Sequence, residues 1–280
     1  MSERATGFWG QVWARIVRDR RARAGGLIVG LVCVGAVCAP WLATHGEGAQ
    51  DAAALLVGPS RAHWLGTDEL GRDVWSRLLY GARVSMTVAL VTSALAMGLG
   101  TVLGALSGFK GGRLDNILMR LVDVVYAFPD LLLIIIIGVL VGQNVGGIVL
   151  SLTLVSWVTV ARVVRGEVLV LRERPFVEAA RALGFGPWRI LWREIMPHTL
   201  APLLVTLTAR IPAVILAEST LSFLGLGLQP PASSWGVLAA AGWTALAFHP
   251  HLILAPASAI FVTILGFHLL GDAVRDAMDV

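Results

Sequence analysis

Long apolar blocks, separated by short segments that carry most of the arginines, leave this chain few ways to fold. Six blocks stand out, near Gly25–Ala43, Val84–Ser107, Ile117–Val141, Val145–Val164, Leu200–Leu226 and His251–Leu270. About 20 helical residues at 1.5 Å each cross the hydrocarbon core of a bilayer, so every block is a candidate span. Lipid offers the backbone no hydrogen bonds, which restricts spanning structures to helices and closed barrels. These blocks are too long and continuous for barrel strands. Charged residues make up only 14% of the chain, against about a quarter in soluble domains, which excludes a soluble globular fold. The expected fold is an all-α integral membrane protein with six transmembrane helices.

Charge sets the orientation. With a cytoplasmic N-terminus, 15 of the 22 Lys and Arg residues fall on the inner side, and four (Arg61, Arg72, Arg77 and Arg83) on the outer. Basic segments stay inside, so both termini are expected in the cytoplasm. The net charge of +4 and the pI near 9.8 follow from this placement, and no nucleic-acid partner is expected. Residues 1-24 form a cytoplasmic amphipathic segment. Phe8, Trp9, Val12, Trp13, Ile16 and Val17 share a stripe, ringed by Arg15, Arg18, Arg20, Arg21 and Arg23. Such a segment suits the interface with anionic membrane lipid. Residues 25-43 are the first span, too long and too poor in small-x-small sites for a cleaved signal. An outer loop is expected over 44-83, then a five-helix core over 84-280 with a cytoplasmic loop at 165-199. Cys33 and Cys38 point apart on a helix and should be free thiols.

That cytoplasmic loop is patterned. Glu178-Ala179-Ala180-Arg181-Ala182-Leu183-Gly184 reads as a short helix ended by a glycine that accepts the left-handed conformation. Pro187 suits the start of another. Two helices meeting at a glycine turn make a knob whose Ala-Ala face a second protein can approach, although an amphipathic connector has the same shape. The chain contains no G-x-x-x-x-G-K-[ST] phosphate loop, no H-E-x-x-H, no G-x-S-x-G and no Cys/His constellation. No enzymatic activity and no cofactor is expected.

Charges within spans are costly and therefore informative. Arg120 and Asp123, three apart, should pair along the third span near the inner interface, where Pro129 bends the helix or its start. Arg210 and Glu218 lie eight apart on the fifth span, nearly on one face. They are candidates to line a water-filled path, with mutual support through neighbouring helices an equal reading. Gly100, Gly104 and Gly108 repeat every four residues, a register for close helix packing. The histidines (His45, His63, His198, His249, His251 and His268) are scattered; His249 and His251 lack a neighbouring Cys or carboxylate, so no metal site is expected.

The loop at 165-199 resembles the EAA loop of binding-protein-dependent ABC importers. Glu178, Ala179, Ala180, Gly184 and Pro197 match that pattern, whereas Glu194 and Met196 replace its Ile and Leu, and Ile195 sits one place along. The stretches His63–Asp73, Leu221–Gly227, Gln229-Pro230-Pro231, Ser234-Trp235-Gly236 and Leu270–Asp276 resemble the dipeptide, oligopeptide and nickel subfamily. Over roughly residues 61 to 280 the chain looks most like the second, C-type permease of a pair. The resemblance implies a type I ABC importer permease fold in the bacterial inner membrane. It also implies a heterodimer with a second permease, two cytoplasmic ABC ATPase subunits and an extracytoplasmic substrate-binding protein. The five matching loop residues would then couple ATPase closure to the spans, with di- or oligopeptides as cargo. The alternatives are a permease for nickel or another metal chelate, and a secondary transporter, which needs inverted repeats not evident here.

Overall fold

The computed structural model describes residues 8–229 and 231–278. Residues 1–7, Pro230 and residues 279–280 lie outside the described residues, as do the side chains of Phe8 and Trp9 on the amphipathic stripe. What is described is helical, with no sheet; Thr67 and Asp73 form an isolated antiparallel bridge.

Helix α1 (Phe8–Arg18) meets α2 (Arg20–Val37) at Asp19, whose carboxylate caps α2 by accepting from the backbone N–H of Arg21 and Ala22. Helix α2 overlaps the block expected as the first span, 25-43, over most of its length. It stops before Cys38, and a short α3 (Ala39–Leu42) follows with Pro40 in its first turn. Helix α4 runs Val74–Lys110, so residues 74–83, expected in the outer loop, are its first turns. At 37 residues it measures about 55 Å, well beyond the ~30 Å hydrocarbon core.

The third block is not one helix. It is α5 (Gly112–Tyr126) and α6 (Asp130–Val141), which meet at 91°. Pro129 lacks an N–H and pushes Phe128 out of helical geometry, and that breaks the run. Helix α7 (Val145–Leu171) and short α8 (Pro175–Ala182) follow. The long α9 (Pro187–Phe223), short α10 (Trp235–Thr244) and α11 (His251–Met278) complete the chain. Among the described residues, four helices (α4, α7, α9 and α11) are long and apolar enough to cross a membrane, or five if the bent α5–α6 pair counts as one span. Helix α2 opens with Arg20, Arg21 and Arg23, which shorten its apolar stretch.

The central seam is α4 against α7. A Cβ on Gly100 would stand 2.5 Å from Val160 Cβ, one on Gly108 2.9 Å from the Arg165 carbonyl, and one on Gly104 would strike the Ala161 carbonyl. The four-residue glycine register is therefore a packing device, as its spacing indicated. Small residues let backbones approach and gain dispersion energy where no hydrophobic effect operates between helices. A second crossing repeats the device: a Cβ on Gly25 of α2 would lie 2.6 Å from the Gly266 carbonyl of α11.

Gly104→Ala should therefore lower the melting temperature of the purified chain, since overpacking typically costs about 1–3 kcal/mol. Gly98→Ala, on the same helix with nothing within 4 Å, should leave it unchanged or raise it slightly. Equal effects at the two positions would remove the seam's special standing.

Candidate functional site

The sequence motif at 165-199 folds as a knob. In α8, Val177 and Ala180 are buried, while Glu178, Ala179, Arg181, Ala182 and Leu183 are exposed. Gly184 has φ +78° and ends the helix as expected. The Phe185 N–H donates to the Ala180 carbonyl at 3.1 Å and the Gly184 N–H to the Arg181 carbonyl at 2.9 Å, the paired bonds of a Schellman turn. Nothing lies within 4 Å of a Cβ at Gly184, so the backbone angle alone demands glycine. Pro197 sits exposed at the start of a 3₁₀ turn, Met196–Thr199. Next to it, His198 packs on Phe176 of α8, with ring centroids 5.0 Å apart.

The knob's buried side is continuous with the bundle. Val177, Ala180, Ile190, Leu191 and Ile195 share one apolar cluster with Ala105 of α4 and Val160, Val164 and Val168 of α7. The departure from the family pattern at Glu194 has a local cause. Ile190–Ile195 is a π-helical turn at the start of α9, which aligns residues five apart. Ile190 and Ile195 thus both face the core, 3% and 0% exposed. Apolar residues at 190, 191, 195 and 196 were the available signal for that spacing.

Above the knob, Arg165 of α7 and Arg172 at its C-terminal cap hold its neighbours. Arg165 donates to both oxygens of Asp115 at 2.6 and 2.7 Å, and Arg172 donates to the Gly108 carbonyl at 2.8 Å. The expected Arg120–Asp123 pair is replaced: Asp123 accepts from Arg162 of α7 at 2.6 Å. Arg162 is better placed because its guanidinium stacks 4.1 Å over Tyr126, whose hydroxyl meets Thr159.

Arg210 and Glu218 serve separate places. Arg210 is half-buried, donates to the Ser156 carbonyl at 2.6 Å, and edges a cavity between α6, α7 and α9 that Asp130 and Thr159 also line. Glu218 is 1% exposed and is held at the junction of α4, α9 and α10. It accepts from Ser222 at 2.8 Å and Ser85 at 3.3 Å, and the Ser85 hydroxyl in turn accepts from the Trp235 N–H. A carboxylate in lipid surroundings is tolerable only with such satisfaction. The Ser234-Trp235-Gly236 motif is structural here. Ser234 caps α10, Trp235 donates to the Leu78 carbonyl, and Gly236 lies against Ser219.

At the opposite end of α4, residues 43–73 form a compact cap. Asp68 accepts from the backbone N–H of Leu70 and Arg72, from Arg72 Nε at 2.8 Å and from Arg77 Nη1 at 2.6 Å. Burial pushes its pKa up, but those bonds and the two guanidinium charges more than offset this, leaving it below the ordinary carboxylate range.

Residues 100–279 match the family described as the binding-protein-dependent transport system inner membrane component. The chain belongs to that family of permeases. Residues 7–59 match the N-terminal TM domain of oligopeptide transport permease C, which places the permease in the C-type branch. It is 41% identical to the dipeptide transport system permease protein DppC of Bacillus subtilis, over 95% of this chain and 84% of that one. Identity to the oligopeptide transport system permease protein OppC of the same organism is 36%, over 100% and 92%. The glutathione transport system permease protein GsiD of Pectobacterium atrosepticum is 40% identical over 97% and 90%. The fold is shared with an inward-facing MetNI methionine ABC transporter chain, at a TM-score of 0.59 and 18% identity over 72% of this chain and 96% of that one. Family membership separates the permease from secondary transporters.

Asp68→Asn should destabilise the cap by about 3–5 kcal/mol, because Arg77 is left buried beside a neutral partner. Faster hydrogen exchange over residues 44–73 at neutral pH would report it. A depressed carboxylate pKa contributes stability that is complete above its unfolded value and lost as pH falls through the folded one. Unfolding temperature should accordingly stay level through neutral pH and fall only below the ordinary carboxylate range. That acid-dependent drop should be smaller in Asp68→Asn.

Proposed function

We propose that this permease pairs with a second permease to form the translocation path of an ATP-driven importer for di- or oligopeptides in the bacterial inner membrane. Three relatives named for dipeptide, oligopeptide and glutathione transport support the peptide class. In this reading α2, α4, the bent α5–α6, α7, α9 and α11 make six crossings, with both termini in the cytoplasm. The 10-residue α10 is about 15 Å long and too short to cross. Two ABC ATPases sit below the knob and a substrate-binding protein delivers cargo to the cap.

The observation that carries this function is the two-sidedness of the knob. Its exposed face (Glu178, Ala179, Arg181 and Leu183) is free for an ATPase cleft, while its buried face belongs to the same apolar cluster as α4 and α7. A push on α8 therefore has a packed route into the spans. Glu178, Ala179, Ala180, Gly184 and Pro197 are the coupling residues in this scheme. Arg210 lines the path, its guanidinium edging the cavity beside α6. Glu218, buried in this conformation, joins the lining only where α10 parts from α4.

Tags at either terminus and within 165-199 should be reachable only from the cytoplasm, in keeping with the charge asymmetry. Labelling of any of them from outside intact cells would reverse the topology. For the coupling residues, the informative variant is Gly184→Val. A branched side chain at φ +78° costs about 1–2 kcal/mol, enough to lower docked occupancy by a factor of roughly 5–30. Membrane insertion and subunit assembly should persist, while uptake and binding-protein-stimulated ATPase fall together. Gly184→Asn, which tolerates the left-handed region, should retain more of both. Wild-type transport in an assembled Gly184→Val complex would make the knob a mere connector.

A further inference from the structure

The cap brings together side chains that the transport reading does not use. One ring nitrogen each of His45 and His63 and an Asp73 carboxylate oxygen lie within 4.8 Å of one another. His63 Nδ1 is 2.9 Å and His45 Nδ1 3.9 Å from Asp73 Oδ1. The two imidazoles are stacked, with centroids 4.8 Å apart and planes 26° from parallel. We propose that these three residues form a binding site for a divalent first-row transition metal of the zinc class.

The carboxylate divides its duties. Asp73 is fully buried, and its Oδ2 is occupied: it caps α4 by accepting from the Ser76 N–H at 2.8 Å, and it accepts from Thr44 Oγ1 at 3.2 Å. Its Oδ1 is left to the two rings. Ligating carboxylates are positioned by such outer bonds, here supplied by a helix start that cannot drift. The His45 backbone is anchored too, its N–H donating to Ser76 Oγ at 3.0 Å.

The rings turn two Nδ1 atoms toward one oxygen, and His45 Nδ1 also lies 3.0 Å from Thr44 Oγ1. A single divalent cation can take one lone pair from each ring and one from Asp73 Oδ1. Ligands bound at 2.0–2.1 Å around a tetrahedral ion stand about 3.3 Å apart. The half-exposed His45 ring has to move by only a fraction of that distance.

Two nitrogens and one carboxylate with an open fourth position suit zinc, cobalt, nickel or copper rather than calcium or magnesium, which require oxygen cages. The ion would join three stretches of chain: the segment after α3, the middle of the cap, and the start of α4. No short ligand motif announces it, since the residues are 18 and 10 positions apart.

The test uses the assembled importer in lipid nanodiscs, prepared without a histidine tag, stripped with chelator and free of nucleotide. Cobalt is titrated by visible absorption and zinc by calorimetry, in wild type, His45→Ala, His63→Ala and the double variant. Asp73 is kept because it caps α4. One cobalt per chain, with the intense absorption of a four-coordinate ion displaced by zinc, is expected in wild type. Affinity should fall more than about tenfold in each single variant, as loss of a supporting group alone often costs 10–100-fold. Chelator-stripped wild type and His45→Ala should melt alike, and zinc should raise only the former. Absence of stoichiometric binding in wild type, or undiminished binding in the double variant, overturns the site. Neither result bears on peptide uptake, which is measured separately.

Discussion

Lipid gives a backbone nothing to hydrogen-bond with and gives helices no hydrophobic reason to adhere, so this permease depends on how closely its helices can approach. The α4–α7 seam meets that requirement with three glycines facing the carbonyls and valines of α7. Everything else hangs from it. Ala105, Val160, Val164 and Val168 along the seam receive the buried side of the knob. The cavity beside Arg210 opens on the far side of α7, where bent α6 comes across.

The two ends of α4 are fastened by polar groups of different weight. At the cap end Arg77 and Asp68 are almost wholly out of solvent, 2% and 10% exposed, so removing either strands a charge. At the other end Ser107 of α4 donates to Asp115 of α5, which also pairs with Arg165 of α7; that ion pair is partly wetted, 31% and 14% exposed, and screening makes such a pair weaker. A rod of about 55 Å is thus held hard at one end and more softly at the other, beside the knob.

The all-helical membrane character was legible because span length follows from bilayer thickness, which is indifferent to tertiary detail. The glycine register and the Gly184 turn were legible for a similar reason: each is a local pattern with one cheap geometry. What escaped was non-local. Residues 74–83 read as loop because Ser76, Arg77 and Arg83 are polar, yet Ser76 and Arg77 find partners in the cap, Arg77 in Asp68. Asp123 found Arg162, a helix away, in place of the neighbour three residues off. The hydroxyls of α4 and α9 that enclose Glu218 in this conformation were likewise not legible from its own helix. The extra helix α10 went unread because ten residues are too few to mark a span.

The π turn at Ile190–Ile195 holds one residue more than an α-helix needs at that place. Tightening it to α geometry would swing the preceding segment about the axis of α9 by about 100° and alter its reach by about 1.5 Å. Trp188, 58% exposed and stacked on Trp192, would sweep with it. The backbone therefore carries one residue of surplus length at the join between the knob and Leu200–Phe223, the stretch that packs on α11.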